Sequence, residues 1–291
     1  MGTAMNTSFD EFFQSEARMF LITAIKVALA EDGSDLTSAA LFKEDDQANA
    51  QIVAKQDTVI AGLPIIPLVL EMAGGGCKHM LNVDEGEKIG PDTMIAALQG
   101  PATVLLKAER VILNFISHMS GIAELTRRYV QALDDYETIV LDTRKTLPGL
   151  RYVEKYSVLV GGGQNHRKNL SEMIMLKDNH IDRAGGIFEA VRLVRSEYDP
   201  CPPVEVECRN LDEVMTAVQA EPERIMLDNM TPDQIREALS NIPETIETEI
   251  SGGVSLDNIT EIGSLGADYV SVGRLTHSAP AADFSMQFIT L

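Results

Sequence analysis

From residue 138 onward the chain repeats one pattern, a short apolar run rich in β-branched residues followed by an amphipathic helical segment. The runs are TIVLD (138–142), MIMLK (173–177), VEVEC (204–208), IMLD (225–228), IETEI (246–250) and YVSVG (269–273). Between them lie IFEAVRLVRSEY, LDEVMTAVQA and PDQIREALSNI. Strands alternating with helices predict a parallel α/β sheet. Whether that sheet closes as a barrel or stays open and doubly wound, its ligand is expected at the strand C-termini and the loops after them. Several runs end in a polar or charged residue there: Asp142, Lys177, Glu207, Asp228 and Ser251.

The first third reads differently. Residues 8–30 have helical periodicity, with Ser8 as N-cap and Glu11 three residues later as a capping box. QIVAKQDTVIAG (51–62) alternates like a half-buried strand, and LPIIPLVLEMAGG predicts a helix opened near proline and closed by the glycines at 74–76. DTMIAALQG predicts a strand pair, and a long amphipathic helix is expected from about 103 to 133.

Charge narrows the function. The 291 residues carry a formal net charge of -20, and a pI near 4.6 argues against nucleic acid, which needs a broad basic face. No apolar run is long enough to span a bilayer, and the N-terminus lacks a basic segment followed by an apolar core, so a cytoplasmic protein is expected. Cys77, Cys201 and Cys208 have no metal-like spacing and are expected to be reduced thiols.

Against that acidity, residues 144–183 hold eight Lys and Arg, four Asp and Glu, and two of the five histidines. Arg144, Lys145, His166, Arg167 and Lys177 lie in this island beside strand ends and the GGG turn at 161–163. A cluster of arginine forks and lysine point charges suits a ligand with several anionic groups. Glu207 and Asp228 are suited to ribose hydroxyls or to Mg2+, which takes oxygen ligands and arrives with phosphate. Ser251-Gly252-Gly253, with Gly273 one βα unit later, fits a phosphate loop, its backbone N–H groups reinforced by a following helix N-terminus. The residues alone therefore point to a phosphorylated sugar, a second acidic substrate and Mg2+.

The chain resembles the quinolinate phosphoribosyltransferase family in ALAEDGSDLTS (28–38), AERVILNFISHMSGIA (108–123), DTRKTLPGLR (142–151), GGGQNHRKNL (161–170), LKDNHI (176–181), VEVE (204–207), IMLDNM (225–230), SGG (251–253) and VGRLTH (272–277). The resemblance implies an N-terminal α/β sandwich domain over 1–117, joined by the tail 276–291, and an open α/β barrel over 118–275. It implies transfer of the phosphoribosyl group of 5-phosphoribosyl-1-pyrophosphate (PRPP) to quinolinate with decarboxylation, giving nicotinate mononucleotide, pyrophosphate and CO2 on the route to NAD. By the same resemblance Arg144, His166, Arg167 and Lys177 line the quinolinate pocket. Arg110 joins them from the partner subunit of a homodimer, with assembly into a higher oligomer left open. Lys145 grips the carboxylates or pyrophosphate, Glu207 and Asp228 lie near ribose and a Mg2+ held largely by PRPP, and Ser251, Gly252, Gly253, Gly273 and His277 form the phosphoribosyl side. Lys145, Lys177, Glu207 and Asp228 are the expected catalytic residues.

Two departures stand out: EDGSDLTS is shorter than the family's usual acidic–glycine form, and Asn169 replaces a glycine, so that the backbone there either differs or takes a left-handed Asn. PGLR and LKDNHI separate the chain from a related phosphoribosyltransferase-like protein associated with molybdenum transport. A sugar-phosphate isomerase or lyase would share the glycine loops but need an acid–base pair in place of the basic pocket.

Overall fold

The computed structural model describes residues 8–43 and 45–289. The chain begins with α1 (Phe9–Phe12), α2 (Ser15–Glu31), α3 (Leu36–Leu41), β1 (Gln47–Ala54), β2 (Thr58–Val59), α4 (Ile65–Ala73), β3 (Lys78–Leu81), β4 (Lys88–Ile89), β5 (Met94–Pro101) and α5 (Ala102–Gln131). It continues through β6 (Ile139–Leu141), α6 (Arg151–Val160), β7 (Ile174–Leu176), α7 (Asp178–Ala184), α8 (Ile187–Glu197), β8 (Val204–Cys208) and α9 (Leu211–Ala220). Last come β9 (Arg224–Asp228), α10 (Pro232–Asn241), β10 (Glu247–Ser251), α11 (Ile259–Gly263), β11 (Tyr269–Ser271), α12 (Arg274–His277) and β12 (Phe284–Ile289). These elements form two compact units, one of residues up to 127, 146–162 and from 275 onward, the other of 128–145 and 163–274.

The first unit is built on an antiparallel sheet of order β12-β1-β5-β3. Alternate β1 residues Ala48, Ala50 and Ile52 are buried, and α5 buries Leu105, Ala108, Ile112, Ile116 and Met119 at helical spacing in the same core. Each fully buried Leu or Ile there contributes about 1.5–3 kcal/mol relative to exposure. Residues 118–127 and 146–162, assigned to the barrel by resemblance, fall in this unit. The reason is that α5 runs unbroken past residue 117 and Tyr152, Val153 and Tyr156 are buried in this core.

Four local readings need adjustment. The helix expected over 8–30 is two helices. The Ser8–Glu11 capping box is present, but Phe9, Phe12 and Phe13 all turn onto Tyr156 at ring separations of 5.3–5.5 Å, and Ser15 takes φ 45°. The strand expected over 51–62 is likewise split between β1 and β2, while the expected strand pair before the long helix is the single eight-residue β5. The glycines at 74–76 do end a helix, with Gly74 as the C-cap of α4. In the shortened acidic motif, Asp35 caps α3 by accepting from Ser38 N at 2.8 Å. Asn169 is not left-handed; its Oδ1 accepts from Ser171 N at 2.9 Å instead.

The second unit is a six-stranded parallel sheet of order β6-β11-β10-β9-β8-β7, wound as an α/β barrel left open between β6 and β7. Period-two alternation gives its strands two contrasting faces. Val204, Val206, Cys208, Ile225, Leu227, Ile250 and Val270 form one buried face, and the helices supply Ala190, Val191, Val214, Ala217, Ile235 and Ala238 to the buried core of the same unit. The other face carries Glu205, Glu207, Arg224, Met226, Asp228, Glu249, Ser251 and Ser271. Among the described residues no helix is long and apolar enough to cross a membrane, and Cys77, Cys201 and Cys208 are free thiols.

Candidate active site

The polar strand face opens into a cavity of about 530 Å³ at the C-terminal ends of the strands. Arg144 and Lys145 reach it from the loop after β6, His166 and Arg167 from the segment before β7, and Lys177, Glu207, Asp228 and Ser251 from the ends of β7, β8, β9 and β10. Gly252 and Gly253 also line it.

Asp142, fully buried at the end of β6, organises the basic side. Its Oδ1 accepts from His166 N at 2.9 Å and its Oδ2 from Asn165 Nδ2 at 2.7 Å. A buried carboxylate held by these donors fixes the 165–167 segment beside Arg144. Arg167 donates from Nη1 to Met173 O at 2.9 Å. Burial, and then repulsion from the Arg144 guanidinium, holds the Arg167 pKa below its ordinary value. Two guanidinium groups are therefore held close enough to repel, an arrangement relieved by an anion with more than one charge.

At the ends of β7 and β8, Lys177 and Glu207 form an ion pair. Asp228 Oδ2 accepts from Asn229 Nδ2 at 2.8 Å, and Asn229 N donates to Ser251 O at 2.9 Å. That bond brings the two strand-end loops together, with Asn229 itself left-handed at φ 54°. Gly252 has φ 95°, and a Cβ there would collide with Asn229 Oδ1. Only glycine satisfies both constraints, so the backbone can approach a ligand closely. The helix after this loop is the five-residue α11, which begins at Ile259. The loop backbone, not a helix end, therefore faces the cavity.

Below these residues His166 meets Glu205 and Glu249, and Glu249 meets Arg224, three residues with no assigned role in the sequence reading. His166 Nε2 is 2.9 Å from Glu205 Oε2 and 3.4 Å from Glu249 Oε2. Arg224 Nη1 is 3.2 Å from Glu249 Oε2. Both carboxylates are fully buried. Burial works against charge on His166, but hydrogen bonds to Glu205 and Glu249 outweigh it and raise the pKa to about 9. The contact at Nδ1, which accepts from Arg167 N at 2.7 Å, opposes a second proton on the ring, because two donors would then face each other.

Three of the expected site residues are not in this lining. Gly273 is half-buried just past β11. His277 is exposed and belongs to the first unit, where its Nδ1 lies 2.6 Å from Ser278 Oγ. Arg110 is exposed on the α5 portion of that same unit. The lining also includes Thr143, Met175, Met226, Asn229, Glu249 and Ser271. The signal for Glu249 and Ser271 was the strand alternation, which places each of them on the face of the recognised strand-end residues.

An open parallel barrel with a cationic wall, a carboxylate wall and a glycine loop at its strand ends defines an α/β enzyme for polyanionic substrates. Residues 122–287 match the family Quinolinate phosphoribosyl transferase, C-terminal domain, and residues 35–120 match its N-terminal domain. The chain belongs to the quinolinate phosphoribosyl transferase family. It is 41% identical over 252 residues to the probable nicotinate-nucleotide pyrophosphorylase [carboxylating] of Bacillus subtilis, covering 87% of each chain. Against the quinolinate phosphoribosyltransferase [decarboxylating] 2b, mitochondrial, of Nicotiana tabacum it is 37% identical, covering 91% of this chain and 81% of that one. The crystal structure of NadC from Streptococcus pyogenes superposes with a TM-score of 0.90 at 38% identity, covering 96% of this chain and 99% of that one.

Proposed function

We infer that the chain is the decarboxylating quinolinate phosphoribosyltransferase of NAD biosynthesis, joining quinolinate to PRPP. The observation that carries this reading is the pair Arg144 and Arg167, two guanidinium groups that line one cavity. The two carboxylates of quinolinate supply the missing negative charge and match the guanidinium forks. A sugar-phosphate isomerase has no use for such a pair.

Arg144, Arg167 and Lys145 orient quinolinate so that its ring nitrogen faces the anomeric carbon of PRPP. The nitrogen lone pair forms the new C–N bond as the C–O bond to pyrophosphate breaks, and pyrophosphate leaves with that electron pair. Glu207 or Asp228 steadies positive charge developing on the sugar, Lys177 faces the leaving group, and the Ser251–Gly253 loop holds the 5-phosphate. The ring nitrogen is now quaternary. Its positive charge stabilises the carbanion left on C2 when the 2-carboxylate departs as CO2, and that electron pair then takes up a proton at C2.

Glu207 and Asp228 are hard oxygen donors on adjacent strands facing one cavity, a donor set that fits Mg2+ arriving on a pyrophosphate. Bound there, the ion neutralises charge on the leaving group. A homodimer, with Arg110 completing the partner's cavity, also belongs to this reading, as does a cytoplasmic location. Partial activity from mixed Arg110→Ala and Lys177→Ala subunits, once exchange is demonstrated, tests the shared site. The reaction itself is tested by incubating the protein with PRPP, Mg2+ and quinolinate. Equal amounts of pyrophosphate, nicotinate mononucleotide and CO2 are expected, and pyrophosphate without CO2 would contradict the reading.

A further inference from the structure

We propose that Glu205, which lies beneath the cavity, is a positioning residue that acts through His166 to aim the quinolinate-binding Arg167. The proposal rests on the reading of this cavity as quinolinate's site.

Three neighbouring strands deliver the cluster. Glu205 of β8 is register partner to Arg224 of β9, and Arg224 to Glu247 of β10. Glu249, two residues along β10, lies on the same face. Glu205 is fully buried and is not part of the cavity lining. It therefore touches no substrate, and its carboxylate faces His166 Nε2 at 2.9 Å.

His166 has a different partner on each ring nitrogen. Nδ1 accepts the backbone N–H of Arg167 at 2.7 Å, which leaves the ring proton on Nε2, whose nearest carboxylate oxygen is Glu205 Oε2 at 2.9 Å. The imidazole is a rigid strut between a buried carboxylate and the backbone of a substrate-binding arginine. Its own main-chain N–H is held by Asp142 at 2.9 Å, so the 165–167 segment is fixed from two buried acids on different strands. With no carboxylate at position 205, Nε2 keeps only Glu249 Oε2 at 3.4 Å, and the ring is held less firmly against turning over. Its N–H would then meet the Arg167 N–H, donor against donor, and Arg167 would shift. A displacement of about 1 Å at a positioning group costs on the order of 100-fold.

A strut and a cation site draw on the same atoms. Ligand atoms of His166, Glu205 and Glu249 lie within 4.8 Å of one another. The Arg224 guanidinium reaches Glu249 Oε2 at 3.2 Å, while both Glu205 carboxylate oxygens and Glu249 Oε1 make no hydrogen bond among the described residues. The metal content of the wild type is therefore measured beside the kinetics.

The test compares Glu205→Ala, Glu205→Met, which keeps the volume but has no acceptor, and Glu205→Gln, whose amide oxygen accepts the Nε2 proton. Steady-state kinetics with Mg2+ and melting temperatures are measured for each. KM for quinolinate is expected to rise roughly 10- to 100-fold in the Ala and Met variants, with KM for PRPP within about twofold of wild type, and Gln is expected to recover most of the loss. If Ala does not fold, Met carries the same expectation. An unchanged quinolinate KM in Met, a fall in kcat and in both affinities together with no recovery in Gln, or stoichiometric metal in the wild type that Gln loses, would each overturn the strut. A wild type that makes no product from quinolinate overturns the functional reading instead, and the two failures are thereby told apart.

Discussion

The same period-two alternation serves opposite ends in the two units. In the first, the sheet turns Ala50 and Ile52 of β1 and Ala96 and Leu98 of β5 into one apolar cluster with the stripe of α5, while the buried charges of that unit, Glu154 and Lys155, lie on α6. In the second, the apolar residues Val204, Val206, Ile225 and Leu227 occupy one face, and the alternate positions Glu205, Glu207, Arg224 and Asp228 fill the other. A parallel barrel whose interior carries charge is expensive to bury, because each ion must find a partner. Here Arg224 meets Glu249 and Lys177 meets Glu207, and the His166 ring lies against Glu205. The first unit illustrates stability by exclusion of water, the second charge held ready for a ligand.

Substitutions sharpen that contrast by separating activity from stability. The largest effect is expected at Lys177. Lys177→Ala removes a charge facing the leaving group and should lower kcat roughly 10²- to 10³-fold with the melting temperature nearly unchanged. Wild-type turnover would remove Lys177 from the site. Ile112→Ala, in the fully buried stripe of α5, should do the reverse, lowering unfolding free energy by about 2–5 kcal/mol and leaving both KM values alone.

Gly252→Ala combines a φ of 95° with a collision against Asn229. It is expected to destabilise by about 1–3 kcal/mol and to raise KM for PRPP more than KM for quinolinate. The smallest effect belongs to Glu85 in the first unit. Burial raises its pKa to about 7, despite backbone hydrogen bonds from Gly62 and Leu63 that favour the charged form. The folded state thus holds its proton to a higher pH than the unfolded chain. Stability from this group is present in acid and is lost as pH rises from about 4.5 to about 7. Glu85→Gln should flatten that slope in denaturation curves.

Much of this was legible in the sequence. Six runs marked the parallel strands to within a residue or two because their β-branched composition and helical spacers agreed. Their polar ends located the cavity. Less legible were interruptions with a tertiary cause, such as the break at Phe13, where packing on Tyr156 overrode helical periodicity. The buried acids escaped for a related reason. VEVEC displays Glu205 and Glu207 as equals, and only the fold shows one beneath the floor and the other in the lining. The membership of 146–162 in the first unit follows from long-range burial of Tyr152 and Tyr156, which local pattern does not encode.

The most direct test of the central claim, that the charged barrel face is built around a dicarboxylate, is the affinity of the wild-type protein for quinolinate beside nicotinate, which lacks the second carboxylate, measured by titration calorimetry. Quinolinate is expected to bind more tightly by roughly 10- to 100-fold, the contribution of one charge-assisted hydrogen-bonded group, and Arg144→Ala should erase most of the difference. Equal affinities, or a preference for nicotinate, would contradict it.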